Sequence, residues 1–265
     1  MFEQLFGGME LGVEMYLLVA AAGVATGIIN TLAGSGSLIT LPIFIFICGL
    51  PAPVANGTNR IGVILQSFVG IRGMKKNGIL NTKHVEWLAI PAILGAMIGS
   101  AIAVEMDEKM MNLAIAVLMI FMLLVLLVDP KRWITATERP QGVHKKPLPL
   151  ATFFLIGVYG GFIQAGVGIF LLAGLVLASK YSLGKANGVK MLLVFLFNIP
   201  ALISFFLAGQ VHLGFGLIMA AFQSLGALIA VRIMSRYPDA NRWIHRLLIV
   251  IVIVSAIRFM VEAVG

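Results

Sequence analysis

Residues 27–42 read GIINTLAGSGSLITLP, and residues 157–170 read GVYGGFIQAGVGIF. In both, glycines and small polar groups cut an apolar run before it reaches the roughly 20 residues a helix needs to cross hydrocarbon. The pieces on either side, 15–29 with 37–50 and 150–163 with 169–178, are therefore predicted to be paired short segments. Such pairs, at corresponding places in two halves of a chain, are the sign of discontinuous helices at a transport site.

The rest of the chain puts these stretches in a membrane. Of 265 residues, 60% are hydrophobic and only 11% charged, with a mean hydropathy of +1.03. A soluble domain carries about a quarter charged residues, so a cytosolic globular enzyme, a disordered chain and a disulfide scaffold are excluded. The one cysteine, Cys48, lies in an apolar run and reads as packing. Glu3, Glu10 and Glu14 stand where a cleavable signal would be basic. Runs at 54–72, 85–104, 110–128, 186–208, 213–233 and 243–261 are long enough to cross.

The net charge of +8 gathers in the loops at 72–83, 129–148, 179–185 and 232–246, whereas Glu105, Asp107 and Glu108 mark another face. The positive-inside rule makes the basic loops cytoplasmic. Two hairpins dipping in from opposite faces and six full crossings, with both termini outside, then follow. The fold class expected is an all-α integral membrane protein with an inverted-topology repeat, each half one re-entrant hairpin plus three transmembrane helices. That gives about eight segments, or up to ten helices. The first repeat covers 1–130, a basic cytoplasmic linker 131–148 and the second repeat 149–265. The expected location is the cytoplasmic (inner) membrane.

Internal repetition supports the duplication. Gly23-Val-Ala-Thr-Gly27-Ile-Ile-Asn30 lines up with Gly157-Val-Tyr-Gly-Gly161-Phe-Ile-Gln164, and Ala33-Gly34-Ser35-Gly36 with Ala165-Gly166-Val167-Gly168. Ala55-Asn56-Gly57 matches Ala186-Asn187-Gly188, and the run from Gly99 to Val104 matches that from Gly226 to Val231. Inverted duplication of this kind underlies alternating access in many secondary transporters.

Polar groups at membrane depth are costly and therefore informative. The first break offers Asn30, Thr31, Ser35 and Ser37, the second Gln164. The helices that start after the breaks are expected to aim unpaired N–H groups at them, which suits an anion. At helical spacing Asn56, Asn59 or Arg60, Val63 and Gln66 or Ser67 share one stripe, as do Asn187, Lys190, Val194 and Asn198. Arg60 and Lys190 each lie about 10 Å inside their crossings at 1.5 Å per residue. Snorkelling to headgroups is the competing reading, but a snorkelling cation needs no amide stripe beneath it. All eleven acidic residues and all four histidines fall in loops or at segment ends. The interior is thus expected to be electropositive and to hold an oxyanion, to which arginine can donate two parallel hydrogen bonds.

At these residues the chain resembles the sulfite exporter family (TauE/SafE). The specific stretch is GIINTLAGSGSLITLP followed by GLPAPVANGTNRIGVILQS (49–67), with the weaker second copy GVYGGFIQAGVGIF and LGKANGVK (183–190). The resemblance covers essentially the whole chain. It implies a transporter without a nucleotide-binding domain that exports sulfite or a small organosulfonate such as sulfoacetate. It carries the family's polar signature onto Asn30, Thr31, Ser35, Asn56, Thr58, Asn59, Arg60, Gln66, Gln164, Asn187 and Lys190. In the second copy Gln164 replaces Asn30, and Val167 and Ile169 replace Ser35 and Ser37. That half is expected to shape the site more than ligate it.

No enzyme is expected: neither a Ser/His pair at depth nor an HExxH run occurs. No cofactor or resident metal is implied, and a nickel or cobalt carrier would need histidine or carboxylate ligands at depth. A scaffold held by GxxxG contacts such as Gly95 to Gly99 leaves the buried cations unexplained. Another small anion remains an alternative cargo. The partners expected are the small anion and membrane lipid, with a homodimer left open and no nucleic acid. Without an embedded carboxylate, the anion is expected to move down its own electrochemical gradient, the potential supplying about 2.3 kcal/mol per charge per 100 mV, with proton symport through the substrate's own protonation as the alternative.

Overall fold

The computed structural model of the protein describes residues 13–78, 80, 85–127, 147–179, 181 and 183–236. Its order is α1 (Val13–Ala33), α2 (Ser37–Pro42) running into a π-helical turn (Ile43–Ile47), α3 (Ala52–Lys76), α4 (Glu86–Val104) and α5 (Glu108–Leu127). Then come α6 (Pro147–Phe162), α7 (Val167–Ala173) with its own π-helical turn (Gly174–Ala178), α8 (Leu183–Leu207) and α9 (Leu213–Arg236). The chain is all-helical and integral to a membrane: five of these helices are long and apolar enough to cross, within α1, α4, α5, α8 and α9. Leu94, Ile98, Ile102, Leu113, Val117, Ile203 and Leu225 are exposed along them, an arrangement that water would not tolerate and lipid does. The expected crossing at 243–261 and most of the linker 131–148 lie outside the described residues.

Two expectations about length need correction. The segment 15–29 is not a short arm, because the helix continues through Asn30 and Thr31 to Ala33 and reaches 21 residues. Polar side chains do not end a helix whose backbone bonds continue; the left-handed glycine does, at Gly34 (φ 77°). Conversely, the run at 54–72 belongs to a 25-residue helix, α3, that is not among the five apolar candidates. Asn56, Thr58, Asn59, Arg60, Gln66 and Ser67 on it are all buried, while Leu65 and Phe68 are exposed, so the polar face of α3 is lined by protein.

The order of elements recurs. α1 and α6 each lead to a left-handed glycine, Gly34 (φ 77°) and Gly166 (φ 70°). A short helix with a π-helical turn follows each, and then a helix of 25 residues, α3 or α8. The most extensive helix contacts are α4 with α6, α9 with α3 and α9 with α1, followed by α8 with α3 and α4. The glycine pairs serve these crossings: Gly157 and Gly161 back onto the Ala92 and Ala96 carbonyls, and Gly27 onto that of Gln223. One apolar core gathers Leu38, Leu41 and Phe44 with Met111, Ile115, Met119 and Phe215. A second gathers Leu88, Phe153, Leu171, Leu193 and Phe197. The polar residues lie between them.

Candidate functional site

The site forms where the two breaks touch. The Gly168 amide donates to the Gly34 carbonyl at 3.0 Å, and a Cβ on Gly168 would fall 2.3 Å from the Gly34 Cα. No larger residue allows the two backbones to approach so closely. Immediately before each break a helix ends, so its last carbonyls lack the amides of a further helical turn, and that of Asn30 is met by the Gly34 amide at 2.9 Å. The carbonyls of Asn30 and Thr31 stand near the end of α1, and those of Gly160, Gly161 and Phe162 at the end of α6.

Each end is gripped from the opposite half of the chain. From α3, Arg60 Nη1 donates to the Gly160 carbonyl at 3.1 Å, Nη2 to the Gly161 carbonyl at 2.6 Å, and Asn56 Nδ2 to the Phe162 carbonyl at 2.8 Å. From α8, Lys190 Nζ donates to the Asn30 and Thr31 carbonyls at 3.3 and 3.1 Å, and Asn187 Nδ2 to the Thr31 carbonyl at 3.2 Å. Positive charge at a helix C-terminus is favourable to the dipole there. The Arg60 plane is further fixed by Asn198 Oδ1 at 3.1 Å from Nη1 and by the Phe205 ring, 4.7 Å from its central carbon.

Both cations are fully enclosed, Arg60 at 0% and Lys190 at 1% exposure, so neither snorkels. Their partners are neutral carbonyls and amides. Every carboxylate among the described residues whose exposure is defined, namely Glu14, Glu86, Glu105, Asp107 and Glu108, is exposed. The two charges are therefore not neutralised by a carboxylate in the described protein. Donors also remain. Arginine carries five N–H groups and lysine three. Arg60 holds Gly160, Gly161 and Asn198 with three of its five, which leaves Nε–H and one Nη2–H, the side edge of the fork. Nε has no partner. Lys190 commits two of its three.

The family model described as "Sulfite exporter TauE/SafE" matches residues 19–259. The chain belongs to the TauE/SafE sulfite exporter family. TauE/SafE relatives include a "Probable membrane transporter protein ORF9" of Sinorhizobium sp, 27% identical over 96% of this chain and 95% of its own. A "Probable membrane transporter protein" of Haemophilus influenzae is 24% identical over 85% and 88%, and that named YfcA of Escherichia coli 23% over 96% and 91%. No solved structure matches significantly. This TauE/SafE chain is accordingly a multi-pass membrane protein of a transporter family, and not an enzyme.

Around the crossing the structure gathers most of the residues singled out above. Asn56 and Arg60 stand at the α6 end, and Asn187, Lys190, Asn30 and Thr31 at the α1 end. Asn59 Nδ2 donates to Ser37 Oγ at 2.9 Å, linking α3 to the start of α2. Ser35 and Gln164 are buried in the two breaks, with Ser35 Oγ and Gln164 Oε1 lacking partners. Gln66 is buried farther along α3. Thr58 is set apart: its Oγ1 accepts from the His212 amide at 2.8 Å, at the loop before α9.

The expectation of free amide donors at the tips is corrected. Gly36 N donates to Asn30 Oδ1, and Leu38 N and Ile39 N to the Ser35 and Gly36 carbonyls. Gly168 N goes to Gly34 and Ile169 N to Gly166. The Gly36 and Gly168 amides find acceptors outside their own turn, and those of Leu38, Ile39 and Ile169 within it. Positive character at the site comes from the two side chains instead. Sequence reasoning also missed the roles of Asn198, Phe205 and Gln223. A lone amide in an apolar span, as Gln223 is in α9, is the signal that could have found the last.

Proposed function

We propose that this protein is a secondary transporter that exports a small sulfur-containing oxyanion, sulfite or an organosulfonate such as sulfoacetate, across the cytoplasmic membrane by alternating access. The observation that carries the reading is the pair of enclosed cations, Arg60 and Lys190, held only by neutral groups. A buried charge without a counter-ion is expensive, and a passing anion lowers that cost. Arg60 offers the oxyanion its Nε–Nη2 edge, a bidentate match for two oxygens, and Lys190 its remaining N–H. Thr31, Ser35 and Gln164 complete the polar lining about the anion, Asn59 and Gln66 extend it along α3, and Asn30, Asn56 and Asn187 hold the helix ends. Thr58 acts at the periphery, where α3 meets the loop before α9.

The crossed grip suits alternating access through an inverted repeat. Each half's long polar helix holds the other half's broken helix, so loosening one grip opens one side of the crossing. Proteoliposomes loaded with sulfite or sulfoacetate test the reading through efflux. Wild-type vesicles should release the anion, and Arg60→Ala and Lys190→Ala vesicles with equal amounts of folded protein should not. Efflux that survives both substitutions overturns the assignment of the site, and absence of efflux of either anion from wild-type vesicles overturns the substrate class.

A further inference from the structure

We propose that a second, uncharged pocket between α2, α3 and α9, built on Gln223, Asn59 and Gln66, binds a dehydrated monovalent cation. Gln223 reaches from α9 across to α3, where it lies so close over Gly62 that a Cβ there would sit 2.5 Å from its Oε1. Its Nε2 donates to Thr40 Oγ1 on α2 at 3.3 Å, and the Thr40 hydroxyl donates in turn to the Gly36 carbonyl at 3.4 Å. The Thr40 proton is thus committed, which fixes the amide with its nitrogen toward α2 and its oxygen toward α3. One turn away, Asn59 Nδ2 is held by Ser37 Oγ at 2.9 Å. Both amide nitrogens go to hydroxyls of the same short helix. The oxygens Gln223 Oε1 and Asn59 Oδ1 are left buried without a partner, as are both amide atoms of Gln66, one turn beyond Gly62 on the same face of α3.

No bond fixes the Gln66 amide, so it can turn its oxygen toward the same place, whereas the fixed Gln223 and Asn59 oxygens are unfavourable there unless something electropositive meets them. An anion cannot do so. A proton has no titratable group here to carry it. A divalent ion is bound by carboxylates that offset its dehydration, and this pocket has none; neutral oxygens suit a single positive charge. Arg60 follows Asn59 in the chain but donates into α6, and its charge disfavours the cation until an anion is present. The two ligands therefore favour each other, and the favour is reciprocal. That coupling, though not the pocket, rests on the anion reading above, and it replaces the uncoupled movement expected from sequence.

The full-length chain in nanodiscs tests this by thermal unfolding, titrated with sodium or potassium chloride against choline chloride at constant ionic strength, with and without choline sulfite. An alkali chloride should stabilise saturably where choline does not, and more so with sulfite. Gln223→Leu should raise the half-saturating concentration about tenfold or more. Gln223→Glu should lower it and let calcium chloride stabilise as well, a change that a purely structural amide would not give. An equal response to alkali and choline salts overturns the pocket, as does an unchanged response in Gln223→Glu, which decides the matter should Gln223→Leu not fold. Stabilisation by sulfite without any alkali effect removes the cation pocket and leaves the anion site. Stabilisation by alkali cation without any sulfite effect does the reverse.

Discussion

Helices α3 and α8 are both 25 residues long, and each carries an amide and a cation to the carbonyl end of a helix from the other half. They do so with different chemistry. Arg60 spans two successive carbonyls, takes Asn198 as a third partner and lies on the Phe205 ring. Lys190 is a point charge on two carbonyls. The breaks differ as well. The first is polar, with Ser35 and Ser37 buried at its turn, whereas Val167 and Ile169 occupy the matching places in the second. The same order of elements recurs in the two halves, and the halves differ in how their long helices hold and in how polar their breaks are. The first half holds more firmly through Arg60 and offers more polar groups at its tip; the second grips with fewer bonds.

The comparison breaks down altogether if the crossing is lost. Gly168→Ala places a Cβ 2.3 Å from the Gly34 Cα, a backbone atom that cannot yield as a side chain end can. Overpacking typically costs about 1–3 kcal/mol and more where nothing moves. We expect Gly168→Ala to leave little monodisperse protein on size-exclusion chromatography, whereas Leu207→Ala, at an exposed side chain at the end of α8, should keep most of it.

The next largest effect ranks the two grips. An orphaned buried acceptor costs about 1–3 kcal/mol. Arg60→Ala orphans two carbonyls and the Asn198 oxygen. Lys190→Ala leaves the Thr31 carbonyl still held by Asn187. Thermal unfolding should therefore show the larger loss for Arg60→Ala, by about 2 kcal/mol or more. Arg60→Lys should recover only part of it, because a point charge cannot span the same three partners. Equal losses would mean that the halves hold alike and that the guanidinium has no structural advantage.

How far these differences can be read in the sequence depends on the length scale that sets them. The breaks were legible because left-handed turns call for glycine, and Gly34 and Gly166 stand at matched places. The burial of Arg60 and Lys190 was legible from the amides beneath them, since polar stripes at helical spacing mean a protein-lined face. The length of α1 was not, because Asn30 and Thr31 look like breakers when they are simply polar residues of an intact helix. The partners of the cations were not legible either. That Arg60 meets Gly160 and Gly161, and Lys190 meets Thr31, depends on which helix ends are packed against α3 and α8, and no local pattern encodes it. Gln223 escaped because a single amide in an apolar helix makes no stripe.

A smaller effect tests the link from α3 to the first tip. Asn59→Leu keeps the branched shape and removes the bond to Ser37 Oγ, a loss of about 1 kcal/mol. At the matching places of the second tip Val167 and Ile169 offer no acceptor side chain. Val167→Ala should therefore act on packing alone, without changing anion-dependent stabilisation, whereas Asn59→Leu should reduce both intrinsic stability and the shift given by sulfite.

The smallest expected change in stability is the sharpest test of the difference between tips. Ser35 is fully buried and its hydroxyl has no partner, so Ser35→Ala deletes nothing the resting protein uses and should alter stability by no more than about 0.5 kcal/mol. If the hydroxyl instead serves the anion, removing it takes away a hydrogen bond to a charged group, about 1.5–3 kcal/mol, or roughly tenfold or more in affinity. The same substitution would then be silent in unfolding without ligand and plain in sulfite binding. Val167→Ser, which gives the second tip the missing hydroxyl beside the helix end that Arg60 holds, should strengthen binding. Equal binding by wild type and Ser35→Ala would show that the polar tip is not what distinguishes the first half, and would leave the two enclosed cations as the whole of the anion's attraction.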